Sequence, residues 1–435
     1  MQIEMIAPVS TASAALPRLG LGMLAALTPP EDEIIYTDEV VEPFDLERDV
    51  KDVGLVAISV DSKTARRSYD IAAAYRRRGV PVVLGGIHPT ACPDEAMQHA
   101  DAIVVGEADR IWPTVVEDAK RRELKPIYKP PLPDLGGLPL PRRSIFKKSR
   151  RYVPFEITQT MRGCPYPCEF CSVSTANGTT MRFRPADDVL SELGGMGKLV
   201  MFADDNVMIH RGYSRDLFTR MAPLGKHWIG QCSLAAIRRI ENVQLMAASG
   251  CKALFVGFES VDEETTRFTG KKQNRPSEYK ETIAMLHEHG ISVWGSFVFG
   301  FDTDDPEVFD RTAEFAVEMK LTAASFAMLC PYPGTALYKR LAAENRLPDP
   351  AWWLREYHDE DGPHFVPKQF SSDRLREGWM HAAERFYSWN SMWRRYTTGP
   401  QFGWIQRWAY WPLNVMQRRL AQRRVGATRR LDLSC

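Results

Sequence analysis

Two kinds of segment alternate along most of this chain. Short apolar runs bounded by Gly, Pro, Asp or Ser have the length and composition of buried strands. Between them lie stretches whose apolar residues recur at helical spacing. Over residues 1–125 the strand-like runs are IEMIAPV, EIIYTDEV, VGLVAISV, PVVLGG and ADAIVVGEA, and the helix-like ones include LGLGMLAAL, Ala65–Arg78 and WPTVVEDAKRR. Strands alternating with helices of this size predict a parallel, doubly wound sheet. Such sheets bind ligands beyond the carboxyl ends of their strands. The loops so placed are Ser59–Lys63, Gly85–Thr90 and Gly106–Asp109.

Residues 126–151, beginning PIYKPPLPDLGGLPLPRR, are rich in Pro and Gly and read as a semi-rigid linker. Alternation returns over residues 152–341, with strand candidates VPFEITQT, KLVMFAD, HWIGQCS, ALFVGFES, SVWGSFVFG and AASFAMLC. Six such units exceed a half-sheet and predict a partial, TIM-like (β/α)6 barrel, whose reactive end is built by the loops after its strands. Residues 342–435 carry no strand alternation and read as helical and irregular. The fold class is therefore α/β: a Rossmann-like domain, a partial barrel and a helical C-terminal region.

The composition, 44% hydrophobic and 26% charged over 435 residues, belongs to a globular chain of two or three domains. A net charge of +1 gives no electrostatic reason to expect nucleic acid as a partner. The N-terminal stretch lacks a basic start and is interrupted by Pro17 and Arg18, so neither a signal peptide nor a membrane span is expected. Eight cysteines in a chain this long are not a disulfide framework. Three of them, Cys164, Cys168 and Cys171, share the run MRGCPYPCEFCSVS with spacing C-x3-C-x2-C, directly after the first barrel strand. A zinc ion would want a fourth ligand, and no histidine is near. A cubane iron–sulfur cluster held by three thiolates keeps one iron open.

That spacing, with an aromatic residue before the third cysteine, resembles the cluster loop of the radical S-adenosylmethionine (SAM) superfamily. The resemblance implies a 4Fe-4S cluster on these cysteines, SAM on the open iron, and a reducing, cytoplasmic compartment. FADDNVM resembles an acidic segment of the same superfamily and would bring Asp204, Asp205 and Asn206 near SAM, although the Gly-Gly-Glu triplet that often grips the SAM amino group is absent. GFES would bring Glu259 and Ser260 to the ribose or carboxylate, or else begin the next helix. SVWGSFVFGFDTDD resembles the adenine region, with Gly295 and Gly300 allowing close approach or serving packing. In LCPYPGTALY, the residues Pro331, Pro333, Gly334 and Thr335 would shape the substrate end. Arg182 and Arg184 would hold an anion or form a solvated pair.

A doubly wound domain ahead of such a core resembles the cobalamin-binding subclass. The matching words are PRLGLGMLAAL, AISVDSKTA, VLGGIHPTACPDEA and VVGEAD, which implicate Ser59, Gly85, Gly86, His88, Gly106 and Glu107 in cofactor binding. Asp-x-His-x-x-Gly, the usual source of an imidazole ligand to cobalt, is replaced by APVSTASAALPRLG. Cobalamin would then bind without a histidine from that loop, and His88 is expected to bond backbone or a corrin amide rather than cobalt.

The resemblance implies a methyltransferase acting on an unactivated carbon through a 5′-deoxyadenosyl radical, with methylcobalamin as methyl donor and a flavodoxin or ferredoxin as electron source. Oxidative cyclisation or rearrangement by the same two domains is the alternative within enzymes; a sensor without turnover is the alternative outside them. A second cysteine trio, which a methylthiotransferase would need, is missing. In the C-terminal region His358 and His364 lack a metal-like partner set and read as surface residues. Trp404, Trp408 and Trp411 recur near helical spacing, with nine arginines and no acidic residue between positions 394 and 430. The pattern fits either a helix in an anionic membrane interface, with a lipid-like substrate, or a helix docked on its own core with a solvated basic face.

Overall fold

The computed structural model describes residues 1–9, 16–47, 52–146, 149–271, 273–355, 362–400 and 402–431, with side chains described as far as Gln422; His358 lies outside the described residues. The first sheet consists of β1 (Gln2–Ala7), β2 (Glu33–Asp38), β3 (Val53–Ser59), β4 (Val82–Gly85), β5 (Ala102–Val104) and β6 (Ile127–Tyr128). All pairs are parallel, in the order β2-β1-β3-β4-β5-β6. Helices Leu19–Leu27 and Trp112–Arg121 cover one face with Leu21, Ala25, Trp112 and Val115. Helix Ala65–Arg77 covers the other with Tyr69, Ile71 and Tyr75. Covering both faces requires strands without polar alternation, which is why β1 and β3 are near-continuous apolar runs.

One boundary moves. The pairing of β6 with β5 extends the first sheet through Tyr128, into the segment expected to be linker. An extended stretch can satisfy its backbone by joining a sheet edge, and composition alone does not reveal that pairing.

The second sheet consists of β7 (Glu156–Thr158), followed by a small antiparallel hairpin of β8 (Met161–Arg162) and β9 (Arg182–Phe183), and then β10 (Leu199–Phe202), β11 (His227–Cys232), β12 (Cys251–Glu259), β13 (Ser292–Phe299) and β14 (Ala323–Met328). Strands β7-β10-β11-β12-β13-β14 run parallel in that order, an open barrel of six. Along β13, Val293, Phe297 and Phe299 are buried, whereas Trp294, Ser296 and Val298 are only partly so. A filled barrel would bury both sets. The lumen therefore has room for ligands.

The C-terminal region closes over both domains. Helix Ser372–Phe386 lies on β14, with Trp379 Nε1 donating to the Phe326 carbonyl at 2.8 Å. Trp353 reaches back to the first domain and donates to Glu95 at 3.0 Å. Among the described residues no helix is long and apolar enough to cross a membrane.

Candidate active site

The loop after β7 is anchored before it reaches the cysteines. Asp204, buried behind β10, accepts from the backbone N–H of Thr160 at 2.6 Å and of Met161 at 3.2 Å. Burial pushes its carboxyl up to about 6. Its Oδ1 is thus occupied by the cluster loop's backbone and its Oδ2 by the Thr160 hydroxyl. Asn206 is also committed, its Oδ1 accepting from the Ser233 N–H at 3.2 Å and tying this loop to β11. Gly163 turns the chain with φ +91°, where a Cβ would fall 2.3 Å from the Thr180 carbonyl oxygen.

Cys164, Cys168 and Cys171 follow as free, half-buried thiols. Burial pushes all three up, Cys168 to about 11, and they lie close enough to one another for their charges to interact. Among the described residues no three His, Cys, Asp or Glu converge on a single-ion site. Three thiols on one loop are the donor type that a polynuclear iron–sulfur centre takes. Arg340 holds the intervening Glu169 at 2.8 Å, and the Leu337 N–H donates to the Glu169 carbonyl at 2.8 Å. The LCPYPGTALY turn thus braces the cluster loop. Gly334 (φ +81°) packs where a Cβ would meet Thr175 at 2.8 Å and Ala91 at 3.3 Å, while Thr335 caps helix Ala336–Ala343.

Asp205 faces the thiols, near enough to raise Cys164 and Cys171; the Asn177 side chain lies against its carboxylate, and its Oδ2 is buried with no close hydrogen-bond donor among the described residues. An orphaned carboxylate oxygen beside the cysteine trio fits the ammonium of SAM, the contact left open by the missing Gly-Gly-Glu. Glu259 ends β12 at φ +64°, at a register shift, and is paired with Lys271, whose Nζ also donates to the Gly257 carbonyl at 3.0 Å. A non-glycine residue held in this left-handed region costs roughly 1–2 kcal/mol. Sequence reasoning missed Lys271, which sits in a polar turn with no motif of its own.

At three positions the structure supports the second of the two readings given above. Ser260 Oγ accepts from the Asp262 N–H at 3.1 Å, and Asp262 caps helix Glu263–Phe268, so Ser260 belongs to a helix entry. Gly295 shares the outward face of β13 with Phe297, and a Cβ there would meet Leu321 at 2.7 Å. Gly300 (φ +103°) turns beneath Leu375 and Phe365 of the C-terminal region. Both glycines make room for packing.

At the carboxyl end of the first sheet lies a cavity of about 320 Å³. Leu21, Ser59, Gly85 and Gly106 line it from the first domain, and Arg162 and Asn177 from the barrel. Gly86 adopts φ +109° where a Cβ would strike the Val60 carbonyl oxygen, and Gly106 (φ +93°) opens onto free space. The apolar floor and glycine rim fit a corrinoid.

Three further expectations change here. His88 is fully buried away from that cavity, with Nε2 2.9 Å from Glu95 and Nδ1 3.3 Å from Ser62, and touches neither backbone carbonyls nor the cavity. Glu107 lines the cavity, but its carboxylate is taken by Arg162 at 2.6 Å and by Arg182. Arg184 is likewise paired, with Glu192 at 2.5 Å. These arginines clamp elements together, although Arg182 Nε and Arg184 Nη2 are buried with no partner among the described residues.

A second cavity, about 230 Å³, opens where the barrel mouth meets the first domain. Phe170 of the cluster loop, Val298, Leu329 and Trp379 make it largely apolar. Lys63 enters from the first domain, with no ion-pair or hydrogen-bond partner among the described residues. His364 also lines it, its ring stacked on Trp352 at 4.1 Å, which places it in a site and not on the surface.

Fold and site together define a radical SAM barrel fed by a B12-binding domain. The sequence matches the radical SAM superfamily over residues 158–316, the B12 binding domain over 6–116, and a domain of unknown function, DUF4070, over 335–403. It is 30% identical to bacteriochlorophyllide d C-8(2)-methyltransferase of Chlorobaculum tepidum, over 74% of this chain and 75% of that protein. It is 28% identical to bacteriochlorophyllide d C-12(1)-methyltransferase of the same organism, over 95% and 91%. The fold resembles the radical SAM methyltransferase TsrM from Kitasatospora setae, solved with cobalamin and a 4Fe-4S cluster, with a TM-score of 0.70 at 15% identity over 98% of this chain and 99% of that one. The chain belongs to the cobalamin-dependent radical SAM enzymes, with a 4Fe-4S cluster, SAM and cobalamin as its cofactors.

Proposed function

We propose that this enzyme transfers a methyl group to an unactivated carbon of a largely apolar substrate that carries one anionic group. The second cavity carries this reading: apolar walls beside the cluster loop, with the ammonium of Lys63, unpaired among the described residues, at its rim. Bound at the sites described, the cluster, SAM and cobalamin supply the electron, the radical precursor and the methyl group. The protein's share is placement. Asp205 would hold the SAM ammonium, and the Lys271–Glu259 pair would fix its other polar end. Phe170, Val298 and Trp379 would keep water from the reacting carbon, and Lys63 would set the substrate's orientation. Asp204 and Glu169 hold the cluster loop in register with that chamber.

An electron donor such as a flavodoxin or ferredoxin completes the system, in a reducing cytoplasm. A lipid-like substrate concentrates in bilayers, so peripheral contact with a membrane would bring it to the enzyme. The test is anaerobic turnover with reconstituted cluster, SAM and methylcobalamin, offering bacteriochlorophyllide d first because two relatives are named for it. 5′-Deoxyadenosine and S-adenosylhomocysteine should accumulate together with a product one methylene unit heavier. 5′-Deoxyadenosine without S-adenosylhomocysteine would instead indicate cyclisation or rearrangement.

A further inference from the structure

The long C-terminal helix Trp404–Leu431 is inside out relative to an ordinary surface helix. Its protein-facing stripe is polar. Gln406 Nε2 donates to the Gly290 carbonyl at 2.7 Å and the Lys252 carbonyl at 3.2 Å. Tyr410 OH donates to the Met392 carbonyl at 2.8 Å, and Asn414 Nδ2 to the Thr322 carbonyl at 3.1 Å. All three residues are buried. The opposite stripe, at the same four-residue spacing, is apolar: Trp404 and Trp408 are 76% and 73% exposed, and Met416 and Leu420 follow them. The preceding helix, Trp389–Thr398, adds Trp389 and Trp393, 57% and 60% exposed. Trp393 lies 6.1 Å from the Trp411 ring, and the Arg418 guanidinium 5.3 Å from Trp389, so the two helices present one continuous patch.

A helix solvated on its outer side carries its apolar stripe inward. Here internal hydrogen bonds fix the helix with that stripe outward, which rules out the alternative of a helix docked by its aromatic face. Exposed arginines frame the patch: Arg394, Arg407 and Arg419 have no ion-pair partner among the described residues. No acidic residue occurs between positions 394 and 430. A second copy of the chain would bring the same cations face to face, which disfavours self-association. Indole rings flanked by guanidinium groups match the boundary between anionic headgroups and acyl chains.

We propose that the two C-terminal helices seat the enzyme on an anionic lipid surface, lying in the interface without crossing it. This rests on the geometry of the helices and is independent of the reaction proposed above. The experiment is flotation of the intact holoenzyme with vesicles of phosphatidylcholine alone and of phosphatidylcholine containing one quarter phosphatidylglycerol. Binding should favour the anionic vesicles and shift tryptophan emission to the blue. W404A/W408A should lower the bound fraction about tenfold or more, because two large interfacial side chains are lost. R407Q/R419Q should reduce the anionic preference by about thirtyfold at low salt. Iron content and thermal midpoint should stay unchanged in both, since these side chains are exposed. Failure of the wild-type protein to float with either vesicle overturns the proposal, as does undiminished binding by W404A/W408A. A dimer in sedimentation that W404A/W408A dissolves would assign the patch to a second copy and overturn it equally.

Discussion

Arg162 of the barrel hairpin grips Asp109 of the first domain with both ends of its guanidinium, Nη1 at 2.6 Å and Nη2 at 3.0 Å from the two carboxylate oxygens. Glu107 lies 2.6 Å from the same Nη1. The clamp spans the seam on which the larger cavity opens.

Removing Arg162 leaves Asp109 in a mostly buried site without its counter-charge, while Glu107 keeps only Arg182. R162A should destabilise the protein by about 3–5 kcal/mol, the range for breaking one side of a buried pair. R162K, which keeps the charge but loses the fork, should fall between R162A and wild type. Urea unfolding checks the first statement. Cobalamin retained on desalting checks the consequence for the cavity, and it should drop in the same order.

Asp205 provides a way to separate cluster from co-substrate. Serine at Cys164, Cys168 or Cys171 should abolish iron binding. D205N should keep iron and inorganic sulfide but weaken SAM binding about tenfold to a hundredfold, the loss of one charge-assisted hydrogen bond in a partly dry site. The change that SAM makes in the reduced cluster's electron paramagnetic resonance signal reads this without turnover. A normal SAM response in D205N would remove Asp205 from the site.

Lys63 should matter to substrate more than to chemistry. K63M should raise KM for an anionic substrate about tenfold to a hundredfold with kcat within about threefold, and should have little effect on the uncharged ester of the same molecule. Equal losses on acid and ester would place Lys63 in a structural role.

Asp304 is buried and accepts from the N–H groups of Gly300 at 2.8 Å and Phe301 at 3.1 Å, yet burial pushes its carboxyl up to about 7 from 3.8. The folded protein therefore keeps a proton that the unfolded chain has released. Its contribution to stability is fully present below about pH 4 and is lost as pH rises to about 7. His287, held neutral by burial with its value lowered to about 4, acts oppositely, losing stability as pH falls from about 6.5. Wild type shows the sum. D304N removes the first part alone, so its stability relative to wild type should improve from pH 5 to about 7 and level off above that in chemical denaturation. A difference independent of pH would show that Asp304 titrates normally.

The strands and the cysteine loop were legible because each leaves a local mark. Apolar runs bounded by Gly and Pro mark buried parallel strands, and three thiols at fixed spacing mark a metal loop. Roles that depend on distant partners left no such mark. Nothing near Glu107 shows that Arg162 and Arg182 will close on it, and nothing near His88 announces Glu95, Tyr69 and Trp353. Gly295 was open to two readings for a different reason. Counting along β13 puts it with Phe297 and Phe299, but which face of the strand looks into the barrel depends on the helices packed outside. In the C-terminal helix the tryptophan spacing was plain, whereas the direction it faced was set by Gln406, Tyr410 and Asn414.

Trp353 gives the order of assembly a direction. The carboxylate of Glu95, shared with His88 and Tyr69, has its remaining donor 258 positions later. A nascent chain that has just completed its first sheet therefore lacks the indole that finishes that sheet's flank, until nearly the entire barrel has left the ribosome. Splitting the polypeptide after the barrel should leave the amino-terminal half soft, and supplying the missing tail in trans should firm it.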